Sequence, residues 1–108
     1  MDGENMNQAL SSDELIDALD GWSGSEVAVR VVAQGHELLA VARGQLGSRS
    51  DEKKPALFWP LLVPDAHDHA ERTGIYLHPD AFERAALHEG AFVIELRQAG
   101  TTLNLRRL

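Results

Sequence analysis

The sequence contains no cysteine and no long apolar run, and each absence excludes a class of protein. Without cysteine, disulfide scaffolds, thiolate metal sites, redox motifs and cysteine nucleophiles are excluded. The longest apolar run, residues 56–64, has about half the length of a membrane span. The start, MDGENMNQAL, is acidic and polar, whereas a signal peptide needs a basic start and an apolar core. We therefore expect a cytoplasmic protein without a membrane partner.

Basic residues are missing from the first part of the chain. Of 17 acidic residues, seven lie within residues 1–26, which hold no Lys or Arg, so residues 27–108 carry ten charges of each sign. A strongly basic domain would indicate nucleic-acid binding, because phosphate neutralisation supplies most non-specific affinity. The composition therefore disfavours a nucleic-acid partner, although the balanced part leaves room for a local basic stripe. A length of 108 residues with 44% hydrophobic residues fits one globular domain.

The N-terminal part predicts a tail followed by a short helix. Residues 1–10 lack periodicity and are predicted to be a disordered tail, which leaves 11–108 as the single domain. Ser11 and Glu14 have the spacing of a capping box, and Gly21 supplies a stop. A helix this short is unstable alone, so we expect it to pack its apolar stripe on the rest of the domain.

From residue 26 the hydrophobic period changes from about 3.6 to 2, which indicates strands. Pro60 cannot donate to a ladder and predicts an edge strand or a bulge for its segment. Pro79 and Asp80 are predicted to open one helical turn that ends at Gly90, with Phe82 on its packed side. The predicted strands are 26–33, 38–46, 57–63, 74–78 and the two arms of a hairpin within 91–108.

The C-terminal hairpin has a defined predicted register. With the turn at Ala99 and Gly100, Ile94 lies opposite Leu105 and Leu96 lies opposite Leu103. A slip of one residue would lose these apolar pairs, so the hydrophobic pattern selects this register.

These elements predict a mainly β fold. The most economical arrangement is a small antiparallel, partly open barrel of about six strands. The N-terminal helix covers an edge or an end of it, and one short helix lies between later strands.

Residues 73–96, TGIYLHPDAFERAALHEGAFVIEL, resemble the strand, short helix and strand unit of AbrB-like transcription regulators and double-psi barrels. The matching positions are Pro79 at the helix start, Leu87 at its end, Gly90, and Val93 with Glu95 in the next strand. The resemblance covers a quarter to a third of the chain. It implies a β-barrel, and in AbrB-like proteins basic loop residues of a dimer meet DNA.

The front half is faintly similar to an Sm-like barrel. It has a short N-terminal helix, a Val-rich strand, a Gly-containing turn and a strand with Leu46 near its end. Sm-like proteins bind RNA as rings, but their RNA-binding loop signature is absent, so no functional residue is carried over.

Metal-ligand side chains are densest in DAHDHAE, residues 65–71, a predicted loop. The candidates are Asp65, His67 and His69, because imidazole and carboxylate groups bind zinc and other divalent ions. His67 and His69 face the same way only in an extended chain. The alternative to metal binding is an ordinary solvated polar loop. A metal-dependent function at this loop is one of the alternative functions of the protein.

Catalytic motifs are missing. The sequence has no Gly-x-Ser-x-Gly elbow, no phosphate-binding glycine loop, no His-Glu-x-x-His helix and no EF-hand spacing. We therefore favour a binding domain over an enzyme and predict neither catalytic residues nor a cofactor.

The aromatic residues supply candidate interaction sites. Phe58 and Trp59 are adjacent and so point to opposite faces of their strand, which leaves one of them for the outside or an interface. Tyr76 is predicted to be half-buried. The alternative is that the barrel and the helix cover both faces of the 57–63 strand.

Arginines on predicted strands could form a stripe on the barrel exterior, with guanidinium geometry suited to phosphates. The interleaved acids favour an ordinary solvated surface instead. The candidate residues are Arg30, Arg43, Arg97, Arg106 and Arg107.

The sequence as a whole predicts a small binding or interaction domain whose partner is another copy of itself or another protein. The edge around residues 57–63 is the predicted surface for self-association, because it combines a proline with two large aromatic residues. A nucleic-acid-binding regulator of AbrB-like or Sm-like type is the alternative.

Overall fold

The computed structural model describes residues 8–33, 35–52, 54–63, 74–89 and 92–108. These residues form eight strands and one helix, so the predicted mainly β fold class is confirmed. The elements are β1 (Gln8–Leu10), α1 (Ser12–Gly21), β2 (Glu26–Ala33), β3 (Leu38–Leu46), β4 (Leu57–Leu62), β5 (Gly74–Leu77), β6 (Phe82–His88), β7 (Val93–Gln98) and β8 (Thr101–Arg107).

All eight strands belong to one sheet in the order β1-β6-β7-β8-β2-β3-β4-β5, and every neighbouring pair is antiparallel. The sheet curls into an open half-barrel around a single apolar core. The predicted antiparallel, partly open barrel is therefore confirmed at this level. The predicted number of about six strands is too low.

The additional strands come from segments predicted to be something else. The prediction of a helical turn after Pro79 is wrong, because Phe82–His88 forms β6 and pairs with β1 on one side and β7 on the other. The pairs Ala85–Leu96 and Leu87–Ile94 place apolar side chains toward the core, and this tertiary pairing prevails over local helix propensity. Residues 8–10 of the predicted tail form β1, and residues 1–7 lie outside the described part.

Helix α1 has the predicted cap and the predicted end. The Glu14 amide donates to Ser11 Oγ at 3.1 Å, and the Ser11 amide donates to Glu14 Oε1 at 2.8 Å, which completes the capping box. The helix ends at Gly21, and Leu15 and Leu19 are fully buried. They pack with Trp22 among the inner side chains of the strands, so the helix fills the open side of the half-barrel.

The β7–β8 hairpin has the predicted register. Ile94 lies opposite Leu105 and Leu96 opposite Leu103, and all four side chains face the core. The turn residues Ala99 and Gly100 have φ angles of 53° and 78°, the sign pattern of a type I′ turn.

Strand β4 is not at an edge of the sheet, so the predicted edge position of residues 57–63 is wrong. Leu57–Pro60 pair with β5, whereas Leu61 and Leu62 pair with β3. Pro60 is tolerated because it lies where the short ladder to β3 ends. Its carbonyl accepts the Gly47 amide at 2.7 Å, and no further donor is needed on that side.

The side chain of Gln98 closes one end of the half-barrel. It extends from β7 to the free edge of β5, where its Nε2 donates to the Tyr76 carbonyl at 2.7 Å and its Oε1 accepts the His78 amide at 2.8 Å. These two bonds replace part of a strand ladder between strands that are not neighbours in the sheet. Gln98 is 7% exposed, and the two bonds are partly buried, because Tyr76 and His78 lie at the surface.

Candidate interaction surface

The two adjacent aromatic residues of β4 lie on opposite faces of the strand, and both are covered. Trp59 is fully buried within the core, and Phe58 is 2% exposed on the outer face. Ser50 forms a bridge with Phe58, with two backbone hydrogen bonds of 2.7 and 3.2 Å. A Cβ on Gly74 would collide with the Phe58 ring, so this ring also fills the space over β5. The expectation that one of the two side chains is exposed is wrong.

Trp59 has a structural role that its neighbours in sequence do not reveal. Its indole Nε1 donates to Asp20 Oδ1 at 2.9 Å, and Arg49 Nη2 lies 3.7 Å from the other carboxylate oxygen. Asp20 lies in the last turn of α1, where the helix dipole disfavours an acid. The hydrogen bond and the ion pair offset this cost and fasten the helix to β4.

Tyr76 keeps part of its ring at the surface. It is 37% exposed, which agrees with the predicted half-burial. Its ring centroid lies 4.5 Å from that of Phe58 and 6.1 Å from that of His78. Of the three predicted interaction residues, Tyr76 is therefore the one that offers an exposed surface to a partner.

A larger exposed apolar surface lies on β3, at residues 38–43, which we name the β3 edge. Strand β3 pairs with β4 only at Gln45 and Leu46, so within the described part of the chain no strand pairs with the outer side of the β3 edge. The exposed fractions are 49% for Leu38, 52% for Leu39 and 63% for Val41. Unpaired backbone and exposed apolar side chains thus coincide in one strand segment.

The hydrogen bonds near the end of β3 show which backbone groups face outward. Leu46 bonds toward the β2 side, because its amide donates to Ser25 and its carbonyl accepts from Gly24. The Gly47 amide, one residue later, points to β4. Backbone groups alternate in direction along a strand, so those of Val41 and Arg43 point away from β2 into the unpaired side. A bulge lies at Leu39, where the register with β2 shifts by one residue.

An open depression of about 450 Å³ adjoins the end of the β3 edge. Its lining combines apolar side chains of β4 and the residue after it with polar side chains of β2 and β3. The lining residues are Gly24, Glu26, Gly44, Gln45, Leu62 and Val63.

Four of the five predicted arginines lie on the outer face of the sheet. Because paired residues share a face and successive residues alternate, the register places Arg30, Arg43, Arg97 and Arg106 opposite the core. Arg107 does not belong to this face. It pairs with the buried Val27, and its guanidinium lies 5.5 Å from the centroid of the Trp22 ring.

The outer arginines differ in their acidic neighbours. Arg97 Nε lies 3.5 Å from Glu83 Oε1, and Arg43 Nε lies 3.0 Å from Glu26 Oε2. Among the described residues, Arg30 and Arg106 have no acidic partner within 4.0 Å.

The predicted metal ligands Asp65, His67 and His69 lie outside the described residues. Over the ranges that are described, no group of three or more His, Asp or Glu side chains is arranged to hold a metal ion. In the same ranges, no helix has the length and apolar character that crossing a membrane requires.

Comparison with protein-family models, curated proteins and solved structures found no match for this chain. The geometry of the chain itself therefore carries the functional argument.

The β3 edge is the site that the sequence interpretation missed. The predicted strand that contains LLAV, residues 38–41, is confirmed, and this segment is apolar on both faces. Apolar residues on both faces of a strand next to a turn are the sequence signal for this site. Such a strand needs other elements to cover both faces, or a second strand to pair with its edge.

Proposed function

We propose that this chain is a protein-interaction domain that self-associates, with the β3 edge of one copy pairing antiparallel to the β3 edge of a second. The observation that carries the proposal is the coincidence of unpaired backbone and exposed Leu38, Leu39 and Val41 in one strand segment. An exposed apolar edge strand is a template for pairing with another chain, and natural proteins blunt or cover such edges.

A twofold axis through Val41 gives the pairing that best uses the outward backbone groups. The Val41 amide of each copy would donate to the Val41 carbonyl of the other copy. Ala40 would then lie opposite Ala42 of the second copy, and these small side chains permit close approach of the strands. The bulge at Leu39 limits the regular ladder to a short central segment.

This pairing supports a reversible dimer. Burying half of an aliphatic side chain contributes about 1 kcal/mol, and each copy offers three such side chains. A few backbone hydrogen bonds add about 1 kcal/mol each, while association costs at least several kcal/mol in lost motional freedom. We therefore expect a dissociation constant of about 1–100 µM.

Sedimentation velocity over a concentration series tests the proposal with two variants at the same residue. Val41→Lys places a charge at the centre of the edge. Val41→Pro removes the outward amide, which has no strand partner among the described residues of one copy. We expect the wild-type chain to dimerise in the micromolar range, and both variants to stay monomeric at concentrations at least about 30-fold above its dissociation constant.

Phe92→Lys is the matched control, because Phe92 is exposed to a similar extent, 58%, and lies outside the β3 edge. It should leave the dissociation constant unchanged, and thermal melts should show that all three variants fold. A wild-type chain that is monomeric throughout the series would contradict the proposal. So would equal loss of dimer in Val41→Lys and Phe92→Lys.

A further inference from the structure

We infer that the outer face of the sheet binds the phosphate backbone of nucleic acid through Arg30, Arg43 and Arg106, which we name the arginine triad. The inference goes beyond self-association, because two of the three residues lie on β2 and β8 rather than on the β3 edge. It also narrows the five arginines of the predicted stripe to three.

The register places the triad around one small residue. Ala28 of β2 lies directly between Arg43 of β3 and Arg106 of β8, in one row across three strands. Arg30 is two residues further along β2 and so lies diagonal to both. Diagonal neighbours on a sheet are about 7–8 Å apart, and residues two strands apart are about 10 Å apart. Ala28 contributes only a methyl group to the surface between the three arginines.

The charges around Ala28 favour an anionic ligand. Arg30 and Arg106 are exposed and have no acidic partner within 4.0 Å among the described residues. Arg43 pairs with Glu26, whose carboxylate is the acid two residues from Ala28 on the same strand. A second acid on this face, Glu95 of β7, lies diagonal to Arg106 and 4.0 Å from His88 Nε2. Three positive charges thus face two carboxylates on this patch. The excess of acidic over basic residues in the whole chain lies within residues 1–26.

The chemistry and shape of the patch fit a chain of phosphates better than one enclosed phosphate. Guanidinium groups bind phosphate in a bidentate manner and stay charged at any physiological pH. Here they are spread over an open strand surface instead of converging in a cavity. Each strand of a duplex carries one phosphate per about 3.4 Å of helix axis, so sites about 7–10 Å apart can each meet a separate phosphate.

The side chains around the triad also predict that binding does not depend on base sequence. The side chains that flank Arg30 across the sheet are Val41 and Asn104, and Val93 flanks Arg106. Because none of these is aromatic, the triad offers no ring on which a base can stack. We therefore expect binding through the backbone alone, without sequence preference.

Fluorescence anisotropy of a labelled single-stranded oligonucleotide, titrated with the full chain over a salt series, tests the inference. Three phosphate contacts predict a slope of log K against log salt of about −2 for a single strand. Arg30→Gln and Arg106→Gln should each lower the magnitude of this slope by about 0.7 and weaken binding at low salt. Arg49→Gln is the control, since it removes the same charge at a residue that pairs with Asp20.

Two results would overturn the inference. One is the absence of any salt-dependent affinity at low salt, and the other is an equal effect of Arg49→Gln and the triad variants. A competition experiment adds inorganic phosphate to the complex, with chloride at the same ionic strength as the control. Displacement of the oligonucleotide by phosphate but not by chloride would indicate a single-phosphate ligand and contradict the assignment. Sedimentation of Arg30→Gln should match that of the wild-type chain, so failure of this inference stays distinct from failure of self-association.

Discussion

At the scale of single residues, Gln98 is a buried polar side chain whose hydrogen bonds hold two strands together. Its amide group supplies one donor and one acceptor at the edge of β5, where the curled sheet brings β7 and β5 together without a strand ladder. An apolar residue of equal size would fill the space but would leave the Tyr76 carbonyl and the His78 amide without partners.

Gln98→Leu should therefore destabilise the fold by about 1–3 kcal/mol, because it leaves two partly buried backbone groups without their protein partner. Urea denaturation measures the change. Gln45→Leu is the control, since the Gln45 side chain makes one exposed bond of 3.1 Å to the Gly24 carbonyl, which water can replace. Equal losses for the two variants would show that Gln98 does not close the half-barrel.

Residues that act on near neighbours could be predicted from the sequence, and residues that act across the fold could not. Ser11 and Glu14 are three positions apart, and their capping box follows from spacing alone. Trp59 bonds to Asp20, 39 positions earlier, and only the packing of α1 on β4 brings them together. The prediction that either Phe58 or Trp59 is exposed is wrong for Trp59, because α1 covers its ring and supplies an acceptor for its indole N–H.

At the scale of elements, the β7–β8 hairpin forms in the predicted register despite a turn residue that is poorly suited to it. Ala99 has a φ of 53°, a left-handed conformation that favours Gly or Asn over residues with an ordinary Cβ. The apolar cross-strand pairs therefore fix the register and the turn accommodates them.

Ala99→Asn should stabilise the domain by about 0.5–1 kcal/mol, because Asn-Gly is the preferred sequence of a type I′ turn and Ala99 is exposed. Ala99→Val should destabilise it, since a β-branched side chain is strained at positive φ. The difference in melting temperature between the two variants measures the effect. Identical melting temperatures would show that the turn does not carry this strain.

The errors at element scale share one cause. Phe82 and Ala86 have helical spacing, and Pro79 stands where a helix commonly starts, so local pattern favours a helical turn. Residues 82–88 nevertheless form a strand, because β1 and β7 pair with it on both sides. Pro60 likewise suggests an edge strand from the sequence alone. The structure shows that β4 changes its pairing partner next to Pro60, from β5 to β3, which the sequence does not reveal. In both cases the deciding information is which strands become neighbours.

At the scale of the whole molecule, curling of the sheet protects the core but leaves β3 incompletely paired. Strand β3 has nine residues, and its ladder to β4 covers only the last two. The strand itself was predictable from its period, whereas its free side depends on where β4 joins the sheet. A dimer about a twofold axis perpendicular to the sheet would keep both outer faces on one side. The two arginine triads would then share one continuous surface.

Amide hydrogen exchange at two concentrations, measured residue by residue by NMR, tests self-association most directly. The Val41 and Arg43 amides point to the unpaired side of β3, whereas the Leu46 amide donates to the Ser25 carbonyl at 2.9 Å within one copy. We predict that exchange at Val41 slows as concentration rises through the dissociation constant, while exchange at Leu46 stays constant. Exchange at Val41 that does not change with concentration would contradict pairing through the β3 edge.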